Sequence, residues 1–232
     1  MDTLLTGFNL IFNGKQELAE IVWLSLQVSG SALLISIFIG IPIGVFLGLG
    51  RFIGRPLVVM LTYTGMGFPP VVVGLLVYLL LSRNGLLGQY SLFFLPKLFT
   101  PGAMILAQSI IALPLVIGFT MAAVMSVDPQ LQQQIRSLGA TPWQTAVTIL
   151  TEARVGVIIA VVAAFGRIIA EVGAVMLVGG NIEGRTRVLT TAIVLETRKG
   201  NFDQAIALGI VLLTLALIVN IIMLRLQGKT DG

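Results

Sequence analysis

The sequence predicts an all-α integral membrane protein with about five transmembrane helices, and three observations carry that expectation. Apolar residues make up 56% of the 232-residue chain and charged residues only 10%, with a mean hydropathy of +1.02. A soluble domain of this size needs far more surface charge. The apolar residues run continuously instead of alternating with polar ones, which argues against a transmembrane barrel and leaves helices, because lipid satisfies no free backbone polar group. Several runs reach the ~20 residues that cross a bilayer.

Taken in order, residues 1–20 form an interfacial N-terminal segment, with Leu4, Leu5, Phe8, Ile11 and Phe12 on its apolar side. Five spans follow at 21–49, 57–81, 102–125, 156–178 and 204–226, within a single transmembrane domain over 21–226. Residues 227–232 are a polar tail. In the first span Gly40, Gly44 and Gly48 recur every four residues and bare one face, the pattern of close helix packing. Pro69 and Pro70 fall inside the second span, where proline removes a backbone donor, kinks the helix and frees carbonyls. They read either as a packing kink or as a hinge on a transport path.

Arg167 and Glu171 stand one turn apart in the fourth span. An ionised group at the bilayer centre costs about 2.5–3.5 kcal/mol, so both are expected to face the bundle interior or a partner subunit. Two readings stay open: a mutually neutralised structural pair, or an arginine that lends positive potential to a passing anion. Arg185, Arg187, Arg198 and Lys199 form a further cluster that could attract an oxyanion, dock an acidic partner or simply lie in water.

Cysteine and histidine are both absent. That excludes disulfides, thiol chemistry, histidine triads and zinc sites with nitrogen or sulfur ligands. The Gly-Lys-Thr at 228–230 is no phosphate loop, because Met223 stands where such a loop needs glycine. No nucleotide hydrolysis and no cofactor is therefore expected of this chain. The basic residues are scattered, which argues against nucleic acid. Asp2, Glu17 and Glu20 against Lys15 are unlike a cleaved secretory signal, so the N-terminus is expected to be retained. An odd number of spans separates the termini. If the segment 132–150 is cytoplasmic, Arg51, Arg55, Arg136, Arg154, Arg225 and Lys229 share its side, the N-terminus lies outside and the C-terminus inside. The count of positive charges leans slightly against this, although Arg51, Arg55 and Arg225 lie tight against span ends, where the charge rule acts most strongly.

The segment 132–150 is the one long polar interruption. Asp128-Pro129 reads as a capped helix start, and Leu131, Ile135 and Leu138 form an apolar stripe. Gly139 ends that helix at a left-handed cap, and Thr141 with Gln144 restarts a second through a capping box. The local pattern alone suits an ordinary amphipathic loop as well as a stiff lever.

Here the chain resembles a known family. Gln133-Gln134-Ile135, then Gly139 and the apolar Ile149, stand at the spacing of the signature loop of ABC importer permeases, with the loop's usual acid and alanines replaced. Leu113-Pro114, Asp128-Pro129 and 137–140 follow in the order of molybdate-type and tungstate-type permeases, within the molybdate, tungstate and sulfate group that the chain resembles. So do Phe68-Pro69-Pro70 through Gly74, the run 166–174, and Gly180-Asn181 with Gly184-Arg185-Thr186, and the combination is most similar to the tungstate branch. The resemblance implies the type I (MetI-like) permease architecture, with 128–153 as a cytoplasmic coupling loop. Gln133, Gln134, Ile135, Arg136, Gly139, Ala140 and Trp143 would then meet an ATPase. Pro69, Pro70, Arg167, Glu171, Gly173, Ala174 and Asn181 would shape the translocation path and gate. It further implies a homodimer in a prokaryotic cytoplasmic membrane, an extracytoplasmic substrate-binding protein above, and two ATPase subunits that hold ATP and Mg below. A gradient-driven transporter or channel is the rival, and it would need ion-coupling groups that the spans do not offer.

Overall fold

The computed structural model describes residues 15–90 and 95–228. Leu4, Leu5, Phe8, Ile11 and Phe12 of the expected interfacial segment lie outside the described residues, as does most of the polar tail. The helices are α1 (Lys15–Leu49), α2 (Arg55–Met66), α3 (Pro70–Leu81), α4 (Pro101–Met125), α5 (Pro129–Ser137), α6 (Pro142–Glu152), α7 (Arg154–Ile169), α8 (Gly173–Gly179), α9 (Leu189–Lys199) and α10 (Phe202–Gly228). No strand occurs among the described residues. Long apolar stretches of α1, α4 and α10 are each able to cross a membrane, and the bent pairs α2–α3 and α6–α7 bring the number to 5 if each counts as one span.

The central contact is α1 on α4, and the three glycines make it. A Cβ at Gly40 would stand 2.8 Å from Val116 Cγ1, at Gly44 2.7 Å from Thr120 Cβ, and at Gly48 2.7 Å from Val124 Cγ1. The backbones meet because nothing projects between them. Residue numbers rise together along both helices, so α1 and α4 run parallel and end on the same face. Arg55 confirms it: its Nε donates to Leu47 O at 2.8 Å while its Nη2 lies 3.5 Å from Met125 Sδ. In α7 the order reverses, with Gly156 against Ala123 and Gln108 Nε2 donating to Ile168 O. At the opposite face α10 starts beside Ile21 and Leu189 through Leu208, and Val219 further along it reaches the main core. The chain's first described residues and the loop 126–153 therefore lie on opposite faces.

Two expected spans are not single helices. The second turns through 103° between Met66 and Pro70. Pro69 and Pro70 carry no N–H, so the ladder of α2 stops there and Pro69 O starts a new one by accepting from Val72 and Val73. The fourth begins earlier than expected, at Arg154, stops at Ile169 and resumes as the short α8.

Candidate functional site

The two breaks meet. A Cβ at Gly74 of α3 would stand 2.5 Å from Ala174 Cα, and one at Gly173 would run into Val71. Residues 71–74 and 173–174 thus form one tight crossing of α3 on α8, which brings Gly173 and Ala174 against the half-helix that Pro69 and Pro70 open. Substituents larger than hydrogen would hold the two half-helices apart.

Arg167 and Glu171 do not form the intrahelical pair that their spacing suggested. An i,i+4 pair needs an unbroken helix, and α7 ends two residues before Glu171. The Glu171 side chain turns inward instead: the residue is 7% exposed, and Oε1 accepts the Ala174 N–H at 2.9 Å, serving an open donor in the first turn of α8. Its carbonyl accepts from Thr190 Oγ1 at 2.9 Å, which ties α9 to the break. Arg167 stays exposed, flanked by exposed Gly166 and Ala170, and has no hydrogen-bond or ion-pair partner among the described residues. Its neighbour Ile168 is held by Gln108, and Gln108 lies about 10 Å along an α4 that is roughly 37 Å long. A guanidinium without a partner on an apolar span is costly against lipid, which favours water or another protein surface beside it. Sequence reading missed Thr190 and Gln108. The signal for Gln108 was a single amide inside an otherwise apolar span.

Asn181 lies in the turn after α8, with φ 51, and Gly180 and Gly184 flank it with φ 73 and 65. Asparagine is among the few side chains that tolerate this region. Thr186 locks the turn, its Oγ1 donating to Gly179 O at 2.6 Å and accepting from Ile182 N at 2.9 Å. Thr186→Val should leave both main-chain groups without a partner and cost about 1–3 kcal/mol, readable as a lower unfolding temperature in detergent. The basic cluster is partly neutralised. Arg187 pairs with Glu17 at 3.6 Å and Glu183 at 3.3 Å, and Lys199 with Glu196 at 2.8 Å. Hydrogen bonds from Lys199 and then Asn201 hold the Glu196 carboxyl below the usual carboxylate range. Arg185 and Arg198 remain unpaired among the described residues.

The loop 128–153 folds as its residue chemistry dictates. Asp128 Oδ1 accepts from Gln130 N at 2.8 Å and opens α5. Gly139 sits at φ +85 with open space around it. Thr141 and Gln144 complete the reciprocal box, at 2.8 and 3.3 Å, that opens α6. The apolar stripe divides. Leu131 and Ile135 pack toward Val45, Val124 and Ile149, which attaches the loop to the ends of α1 and α4. Leu138 is 87% exposed, contrary to its expected place in the stripe, because the helix ends at Ser137 and the chain turns outward. Gln133, Gln134, Leu138 and Gly139 make an exposed tip, with Ala140 half-buried beside it. Ile135, expected among the outward contacts, is half-buried and supports the tip from within. Arg136 and Trp143 line a groove against α1.

Comparison with known proteins agrees with this geometry over most of the chain. Residues 40–231 match the family described as binding-protein-dependent transport system inner membrane component. The chain is 46% identical to the probable anion ABC transporter permease protein of Haloferax volcanii, covering 93% of each. It is 38% identical to the tungstate uptake system permease protein of Peptoclostridium acidaminophilum, covering 99% of this chain and 100% of that one. Among solved structures, a chain of a bacterial ABC transporter involved in alginate import superposes with a TM-score of 0.74 at 22% identity, over 97% of this chain and 84% of that one.

Proposed function

Since the chain belongs to the binding-protein-dependent transport system inner membrane component family and has the fold of a type I ABC importer permease, we propose that it carries a tetrahedral oxyanion, tungstate first, across a prokaryotic cytoplasmic membrane under the drive of a separate ATPase. The observation that carries the reading is the loop 128–153: a capped helix, a left-handed glycine and a second capped helix, attached to the ends of α1 and α4 and presenting an exposed tip. Gln133, Gln134, Leu138, Gly139 and Ala140 dock on the ATPase. Closure of the ATPase pair around ATP and Mg pushes this tip. Because Ile135 and Leu131 are packed against α1 and α4, the push moves those spans as bodies and changes which side has access. On this reading the loop face is cytoplasmic, the N-terminus lies outside and the C-terminus inside. Two copies form the path, the α3–α8 crossing gates it, and a binding protein delivers the anion from outside. The chain performs no catalysis of its own.

The likeness to the tungstate permease over nearly the whole chain favours tungstate; molybdate and sulfate are the alternative cargoes. Vesicles holding the permease, the ATPase and a loaded binding protein should take up tungstate only with ATP, with molybdate and sulfate as competitors. Uptake by the permease alone on an ion gradient would overturn the proposal. Arg167→Gln, which exchanges a charged contact for a neutral one, should lower anion flux roughly fivefold at unchanged membrane content. Unchanged flux would remove Arg167 from the path.

A further inference from the structure

An apolar groove of about 420 Å³ opens on the loop-bearing face between the last turns of α1 and helix α6. Pro42, Val45, Phe46 and Leu49 form one wall, Ala146 and Leu150 the other, and Arg136 with Trp143 stand at its lining. Arg51 follows Gly50, the groove's last residue on the α1 side, and Phe52 folds back to stack on Phe46 with ring centroids 5.2 Å apart. Ile53 beyond it is fully exposed. Helix α1 has 35 residues, a length of about 52 Å, against about 40–45 Å for a bilayer with its headgroups. Its apolar last turns end just before Arg51 and Arg55, basic residues of the kind that mark the headgroup level at a span's end.

Two charges mark that level. Arg51 is exposed, Arg136 is exposed, and neither has a hydrogen-bond or ion-pair partner among the described residues. Trp143 is 77% exposed beside them, with the amphipathic ring that settles at a membrane interface. An apolar slot whose lining also carries the free guanidinium of Arg136 and the indole of Trp143 has the chemistry to take an acyl chain along its wall and a phosphate at its rim. We propose that this groove binds an anionic phospholipid, its chain between α1 and α6 and its phosphate on Arg136. The lipid then fills the space behind the coupling tip, and Arg136 and Trp143 serve it instead of the ATPase. This goes beyond the transport reading and does not depend on it.

The chain has 2 tryptophans, so Trp23→Phe leaves Trp143 as the single reporter. The full-length Trp23→Phe permease in mixed micelles is titrated with brominated phosphatidylglycerol or brominated phosphatidylcholine, and Trp143 emission is followed. Anionic lipid should quench at about fivefold lower mole fraction than the zwitterionic one. Arg136→Gln should erase that preference, and Ala146→Phe, which fills the slot, should erase it without touching the charge. Thermal unfolding of each variant confirms that it is folded. Equal quenching by the two lipids before any further substitution means bulk lipid alone and overturns the proposal. So does quenching by neither lipid with Trp143 shielded only on adding the ATPase, which would give the groove to that protein. Transport can fail or succeed without changing any of these outcomes.

Discussion

Gly44→Leu is expected to leave almost no folded protein in the membrane. A Cβ alone at this position would meet Thr120 Cβ at 2.7 Å and the Ile117 carbonyl oxygen at 2.8 Å. The second of these is main chain, which no rotamer change removes. Overpacking a fitted contact costs about 1–3 kcal/mol, and separating two backbones lies at the upper end or beyond. Against a total stability of roughly 5–15 kcal/mol, and with Gly40 and Gly48 unseated on the same ridge, the pairing of α1 with α4 should fail. The measurement is membrane yield and the detergent unfolding transition. Gly30→Ala is the control: its Cβ meets nothing within 4 Å, and replacing glycine inside a helix should add up to about 1 kcal/mol. Equal stability of the leucine variant and the parent would show that α1 and α4 do not touch through this ridge.

Gly139→Val should do the opposite kind of damage: a sound membrane domain that no longer transports. The space around Gly139 is open, so the cost is conformational, from φ +85. A β-branched side chain in that region costs roughly 1–2 kcal/mol and would reduce the competent turn, and with it ATP-driven uptake, about 5–30-fold. The unfolding temperature should hardly change, because α5 buries no residue fully. Gly139→Asn should recover much of the loss, since asparagine accepts the left-handed region. Uptake at the parental rate in the valine variant would mean that the bent tip does not transmit the push.

Much of this architecture was legible because it rests on local chemistry. Asp128, Gly139, Thr141 and Gln144 each act within a turn of their own position, so their caps could be read from spacing. Gly40, Gly44 and Gly48 were equally plain, as a four-residue period can serve only one helix face. The partner face of Val116, Thr120 and Val124 was not, since it depends on which helix arrives. Pro69 and Pro70 announced a break but not its 103° turn. The fate of Arg167 and Glu171 was not legible for a related reason. Their spacing was right for a pair, and the end of α7 at Ile169 has no proline to mark it. Thr190 fixes the Glu171 carbonyl from 19 residues away, a distance over which no sequence period extends.

Composition and local pattern by themselves determined that this chain lives in a bilayer as helices and that a capped, glycine-hinged loop interrupts its apolar runs. Those properties follow from solvation and from backbone preferences that act within a few residues. The tertiary structure alone decided that two of the spans are broken, that their halves cross at Gly74 and Ala174, that Glu171 turns inward while Arg167 stays bare, and that a slot opens behind the loop. Each of these depends on which surfaces meet, and a carboxylate or a carbonyl takes whichever partner the packing brings within reach.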